Sequence, residues 1–305
     1  EHLKNTVKID QFIHSDVREF FKAFPFLEPM DSWRTWGDIC SKWKKKWLTC
    51  LPAYEFEKEG INKYSFIEKL KDHLKPDSVV VSDAGSAYYV TSQALTVRYQ
   101  QRYITSGAQA DMGFTLPAAI GVSVAMDNNE VIGITGDGSL QMNIQELQTL
   151  VHYQLPIKLV IWNNNGYLSI RATQIKFFSG REAGVDSKSG VSFPSIEKIA
   201  NAYGINFIWV SQLSLLDDAL SKMMASEEPT ILEVICPQNQ EIIPAASCRK
   251  TIATIDREAN SATPVIGRSR KLRPITSATM RNIRRAIHSV PIDDANCMTR
   301  MKNLF

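Results

Sequence analysis

Cysteine is sparse and scattered in this 305-residue chain. Its five cysteines, Cys40, Cys50, Cys236, Cys248 and Cys297, form no CxxC pair and no His/Cys spacing suited to zinc. An odd, unpaired set argues against a disulfide framework and fits reduced thiols, so a cytoplasmic location is expected. No apolar run is long enough to span a bilayer, and no secretory pattern opens the chain, which leaves no membrane partner to expect. Charge of one sign is also missing. Lys and Arg number 35 against 32 Asp and Glu, a net charge of +3, so no whole-chain basic field argues for nucleic acid. The first residue is Glu1 and not methionine, from which a piece of a longer protein is expected. What is abundant is apolar: 44% of the residues are hydrophobic, enough for one large or two modest domains.

The order of apolar segments predicts the architecture. Pro76 stops a helix that carries Phe66, Ile67, Leu70 and Leu74, with Ser65 and Glu68 expected as its capping box. SVVVSDAGS then reads as a buried strand ending at Asp83-Ala84-Gly85. Further strands are expected at Val131–Thr135, Lys158–Trp162, Phe207–Ser211 and Ile231–Cys236. The helices between them are expected at Leu116–Met126, Gln141–Gln154, Ile196–Tyr203 and Leu215–Ala225. Such alternation predicts an α/β fold, a doubly wound parallel sheet with helices on both faces, whose ligands sit at the carboxyl ends of the strands.

Both ends of the chain differ from this pattern. Near the start, Ser15-Asp16 is expected to cap a helix with Val17, Phe20, Phe21 and Phe24 on its apolar face. Trp36, Cys40, Trp43 and Trp47 follow at helical spacing beside Lys44, Lys45 and Lys46. That stripe reads as packed, with a solvated basic edge, in preference to a nucleic-acid surface. From Ser247 onward the chain holds twelve Lys/Arg against four Asp/Glu and shows little periodicity. This basic tail reads as a loosely ordered extension, to which no function is assigned.

The chemistry concentrates in Gly136-Asp137-Gly138-Ser139 and in Asn163-Asn164-Asn165, with Asn164 standing 27 residues beyond Asp137. A strand, a helix and a second strand fill the interval. A carboxylate at the end of one parallel strand and an amide at the end of the next offer oxygen ligands to a hard divalent cation such as Mg²⁺, which is usually shared with a phosphate. Gly136 and Gly138 let backbone N–H groups approach that phosphate, and the following helix presents its positive end. Taken alone, GDG is a common strand-to-helix turn. Asn163 and Asn165 also read as turn residues, since Asn tolerates left-handed angles.

GDGS followed by the spaced asparagines resembles the diphosphate signature of thiamine-diphosphate enzymes. With GDGSLQMNIQEL and the upstream SGAQADMGFTLPAAIG, it is similar to the acetolactate (acetohydroxyacid) synthase branch. The resemblance runs from about Thr6 to Pro244. It implies a remnant of a middle domain with linker helices over residues 1–58, a thiamine-diphosphate-binding domain over 59–245, and the tail over 246–305. It implies Mg²⁺ ligands at Asp137, Asn164 and the backbone oxygen of Gly166. Gly136, Gly138, Ser139 and Tyr167 would meet the diphosphate, and Gly85 and Ser86 would cradle its far end. Met112 would wedge beneath the bent cofactor, whose pyrimidine would be held near Ala110 and Met112.

The resemblance further implies decarboxylation of a 2-oxoacid, pyruvate, and transfer of the two-carbon unit to an acceptor carbonyl. The catalytic group, an activating glutamate, belongs in that family to a pyrimidine-binding domain with no counterpart in this chain. The chain alone is therefore expected to be inactive. Its expected partners are a second or further copies, as a homodimer or tetramer, or a separate pyrimidine-domain subunit. FAD is held mostly by the middle domain in that family and stays open for the complete enzyme. Two departures bear on the substrate. Thr173 stands where acetolactate synthases carry a tryptophan, and Ile170 where 2-oxoacid decarboxylases carry a glutamate. Arg171 and Gln174 read either as lining an acceptor pocket or as solvent-facing loop residues. A simple 2-oxoacid decarboxylase and a non-catalytic cofactor-binding or assembly module remain the alternatives.

Overall fold

In the computed structural model the described residues are 12–23 and 31–242. Phe24 and the basic tail lie outside them. One compact unit runs from Lys44 to Ala245. Ahead of it, helix α1 (Val17–Ala23) has Asp16 at its start, whose carboxylate accepts from the Arg18 N–H at 2.8 Å. Val17 and Phe21 on that helix are exposed. Helix α2 (Asp31–Lys46) carries the aromatic stripe, in which Trp36 and Trp43 meet edge to face at 5.5 Å. Within the stripe Trp36 and Trp47 stand about half exposed, whereas Cys40 and Trp43 are partly buried.

Within the compact unit, helix α3 (Lys63–His73) leads into strand β1 (Val79–Ser82), helix α4 (Ser86–Ala94) and strand β2 (Arg102–Thr105). Helix α5 (Thr115–Ala125), strand β3 (Val131–Gly136) and the single turn α6 (Asp137–Leu140) follow. Next come α7 (Glu146–His152), β4 (Ile157–Asn163) and α8 (Leu168–Phe177). The unit closes with α9 (Ile196–Tyr203), β5 (Asn206–Val210), α10 (Leu216–Ala225) and β6 (Thr230–Ile235). The six strands form one sheet in the order β2-β1-β3-β4-β6-β5, and every pairing is parallel. The expected doubly wound fold is present.

Strand alternation sorts the core into two halves. Ile132 and Ile134 of β3, Val160 and Trp162 of β4, and Leu232 and Val234 of β6 share one cluster with residues of α3, α4 and α10. Val131, Leu159, Ile161 and Ile231 face the other way, into α5, α7 and α9. The fully buried Trp162 anchors the first half, edge to face with Phe66 at 5.7 Å.

Several boundaries depart from the sequence reading, each for a local reason. Helix α3 is capped by Asn62, whose side chain accepts from the Tyr64 N–H, and Ser65 is a buried residue inside the helix. The helix expected over Gln141–Gln154 forms only from Glu146, because Asn143 turns its amide onto the Gly113 carbonyl at 2.9 Å. Asn favours such bonds over a helix interior. Strand β2 and helices α4 and α8 had no expectation. β2 is a short edge strand, and α4 and α8 begin at glycine- and asparagine-rich turns that read as loops.

Gly133 marks the tightest helix–sheet approach. A Cβ there would lie 2.8 Å from the Thr115 methyl on α5 and 3.2 Å from Leu159 on β4. Gly133→Val should overpack this contact and cost about 1–3 kcal/mol of stability, read from the urea midpoint of unfolding.

Candidate functional site

The strand order reverses direction at β1. From β1 the chain goes to β2 on one side and returns to β3 on the other, so the crevice between the carboxyl ends of β1 and β3 is the topological switch point. A cleft opens there. Its walls come from the turn after β1, from the turn after β3, and from the loop after β4 running into α8.

Asp83 assembles this corner. Its carboxylate is buried and accepts four hydrogen bonds, Ala84 N–H and Gly113 N–H on Oδ1 and Thr115 N–H and Thr135 Oγ1–H on Oδ2, at 2.9–3.2 Å. Gly113 itself needs a φ of +84°, and a Cβ there would strike Met142 and Asn143 at 2.7 and 2.9 Å. The chain reverses tightly at this point and presents the preceding Met112, 41% exposed, to the cleft.

Asp137 begins the turn after β3. It is nearly fully buried, and it accepts from Gly138 N–H at 2.8 Å on Oδ1 and from Gly166 N–H at 3.0 Å on Oδ2. Burial raises its pKa to about 6 against the opposing pull of those two N–H groups and of the buried Lys63 amine. Across from it, Asn165 at φ +52° and Gly166 at φ +147° fold the loop after β4 back on itself. The Asn164 amide thereby donates to the Gly166 carbonyl at 2.6 Å. The Asp137 carboxylate and the Asn164 amide thus both bond to Gly166, the first to its N–H and the second to its carbonyl, and all three residues line the cleft. The donor set therefore fits a hard divalent cation.

The cleft also fits an elongated anionic ligand. A Cβ on Gly138 would lie 2.3 Å from the Tyr167 ring, so only glycine lets that ring close over the turn. Gly85, at φ +62°, lies across from Ser169, whose Oγ is buried without a hydrogen-bond partner among the described residues. Such an orphaned hydroxyl suits a phosphate oxygen.

Of the residues expected from sequence, Gly85, Ser86, Met112, Gly136, Asp137, Gly138, Ser139, Asn164, Gly166 and Tyr167 all line this one cleft. Ala110 does not. It sits at φ +58° in a turn closed by its N–H on the Ser106 carbonyl. Ile170 lines the cleft and Thr173 does not. Arg171 and Gln174 are neither pocket walls nor free loop residues. Arg171 is buried away from the cleft, and Gln174 holds both the N–H and the carbonyl of Ala183. Sequence reasoning missed Ser169 and Leu168, which reach the cleft because α8 starts at Leu168, and the four-bond role of Asp83.

Comparison with known proteins places this arrangement. Residues 83–234 match the family model for the C-terminal TPP-binding domain of thiamine pyrophosphate enzymes. The large subunit of acetolactate synthase isozyme 3 from Escherichia coli K12 is 35% identical over 231 residues, covering 73% of this chain and 39% of that protein. The acetolactate synthase large subunit of Lactococcus lactis is 32% identical, covering 79% of this chain and 41% of its own length. The chain thus belongs to the thiamine-diphosphate-dependent enzyme family, on its acetolactate-synthase-like branch, and spans about two fifths of the length of these relatives. A solved thiamine diphosphate-dependent 4-hydroxybenzoylformate decarboxylase from Rhodococcus jostii RHA1 shares the fold. Its TM-score is 0.54 at 24% identity, over 61% of this chain and 34% of that one.

Asp83→Ala would strand four donors, the N–H groups of Ala84, Gly113 and Thr115 and the Thr135 hydroxyl. It should cost about 3 kcal/mol or more in chemical denaturation. Asp83→Asn keeps one acceptor oxygen and should cost less.

Proposed function

We propose that this chain provides the Mg²⁺- and diphosphate-binding half of an acetolactate-synthase-like carboligase. The observation that carries the reading is the convergence of Asp137, Asn164 and Gly166 at the switch-point cleft. In it, Asp137, the Asn164 amide oxygen and the Gly166 carbonyl hold the cation. Gly136, Gly138, Ser139, Tyr167, Gly85, Ser86 and the orphaned Ser169 hydroxyl hold the diphosphate, and Met112 supports the ring end. When bound, thiamine diphosphate supplies the electron sink that lets a 2-oxoacid lose carbon dioxide. The residues of this chain fix its orientation and neutralise its charge.

The substrate is proposed to be pyruvate and the product a hydroxy-ketone formed with an acceptor carbonyl. Ile170 supports ligation over simple decarboxylation. Among the described residues lining the cleft, Asp137 is the one carboxylate, and no histidine or lysine is present there to donate a proton. The activating glutamate is assigned to a pyrimidine-binding domain supplied by a longer chain, a second copy or a separate subunit, and this chain alone should not turn over pyruvate. A product analysis with the pyrimidine domain supplied, with and without an aldehyde or ketone acceptor, distinguishes ligation from release of acetaldehyde. Dominant acetaldehyde in the presence of acceptor would refute the carboligase reading.

Asp137→Ala or Asn164→Ala should weaken Mg²⁺-dependent thiamine diphosphate binding by about 100-fold or more in calorimetric titration, since even outer-sphere losses at metal sites cost 10–100-fold. The helical circular-dichroism spectrum should be unchanged. A pH dependence follows from the raised pKa of Asp137. The cation-free folded protein holds this proton more tightly than the unfolded chain does. That contribution to stability is complete below the ordinary value of 3.8 and is lost as pH rises through about 6. A divalent cation competes with the same proton. The rise in melting temperature on adding Mg²⁺ and thiamine diphosphate should therefore be small at acid pH and grow as pH passes about 6.

A further inference from the structure

We propose that Arg171 is a positioning residue for the cation site, acting from outside the cleft by fixing the backbone of the Asn165–Gly166 loop. The proposal rests on the reading of Asp137, Asn164 and Gly166 as the Mg²⁺–diphosphate site.

Arg171 lies on the first turn of α8, only 3% exposed, with a guanidinium that joins three separate segments. Nη2 donates to the Asn165 carbonyl at 3.3 Å, inside the ligand loop. The same nitrogen pairs with Asp186 Oδ2 at 3.3 Å, and Nε lies 3.9 Å from Glu182, both on the stretch that follows α8. Nη1 donates to the Gln238 carbonyl at 2.8 Å, just past β6. Tyr167 N–H donates to the Val185 carbonyl at 2.9 Å and ties that stretch to the loop again.

Gly166 is boxed in by this arrangement. A Cβ on it would lie 2.6 Å from Arg171 Nη2 and 2.2 Å from the Val185 carbonyl oxygen. Its φ of +147° is open to glycine and the φ of +52° at Asn165 is one that asparagine tolerates, so the loop has other conformations to choose from and needs outside contacts to hold this one. The direction in which the Gly166 carbonyl points is set by these two residues. Arg171 holds the first directly through its carbonyl and confines the second by contact.

The arms of the clamp are themselves anchored. Asp186 accepts from the Ser189 hydroxyl at 2.8 Å and from the N–H groups of Lys188 and Ser189 at 3.1 and 3.0 Å. It stays charged and in place. A planar guanidinium can serve two carbonyls and a carboxylate at fixed angles, which an ammonium cannot do. Outer-sphere groups of this kind tune metal affinity without touching the metal.

The test is calorimetric titration of the full chain with thiamine diphosphate at a series of Mg²⁺ concentrations. Arg171→Met should raise the Mg²⁺ concentration for half-maximal binding by about 10–100-fold, and Arg171→Lys should not restore it. At saturating Mg²⁺, affinity for thiamine diphosphate should stay within about twofold of the parent, since the diphosphate contacts are untouched. A merely structural lesion would instead lower the fraction of competent protein, seen as stoichiometry, and leave the Mg²⁺ midpoint where it was. Asp186→Asn removes one charged arm at a partly solvated position and should move the midpoint in the same direction by a smaller factor. Folded variants with the parent's Mg²⁺ midpoint overturn the proposal. If Arg171→Met does not fold, the midpoint of Asp186→Asn decides it. A parent chain that binds no thiamine diphosphate with Mg²⁺ overturns the site reading and this proposal together.

Discussion

The corner on which the rest of the site depends is built around one buried carboxylate that no ligand needs to touch. Asp83 ends β1 and gathers the turn that follows it, the Gly113 reversal, the start of α5 and the end of β3 onto its two oxygens. Without it, the parallel pairing of β1 with β3 would still bring the strand ends near each other. It would not set the angle between the Gly85 turn and the Gly136–Gly138 turn, and that angle defines the cleft. A charged acceptor shared by four donors is strong enough to fix such an angle because its hydrogen bonds are charge-assisted and sheltered from water.

A second shared carboxylate stands on the neighbouring strand. Asp137 takes one backbone N–H from its own turn and one from the loop after β4, so the two halves of the proposed cation site are already tied together in the cation-free protein. The cost of this preorganisation is visible in its raised pKa, for burial disfavours the charge more than two N–H groups and the distant Lys63 can offset. A divalent cation would reverse that balance. A carboxylate buried in this way is least comfortable when ionised, a condition that favours a cation beside it.

The cleft lies at the switch point of a doubly wound sheet, where unpaired turns diverge and leave room for a ligand. Its chemistry is narrow: one carboxylate, small residues, hydroxyls and backbone N–H groups on one side, Met112 and Ile170 on the other. Such a wall can bind a metal diphosphate and exclude water from an apolar end. On its own it offers little proton transfer. That suits the cofactor-holding role proposed for it.

The sequence by itself determined the fold class, because apolar strands alternating with amphipathic helices have few compact solutions. It also pointed to most of the residues that line the cleft. Glycines beside Asp137 and the asparagines 27 residues on are local signals, since backbone approach and left-handed turns require those residue types at those positions. Only the tertiary structure decided which neighbours complete it. Ser169 reached the cleft, and Ala110 left it, because of where α8 begins and how the turn after β2 closes. Arg171 read as a pocket or surface residue until its buried partners at Asn165, Asp186 and Gln238 became visible, the last of them 67 residues away in the chain. Asp83 gave no sign of its four donors for the same reason. Contacts of that kind join segments with no pattern in common, and neither periodicity nor spacing records them until the sheet has brought the strand ends together.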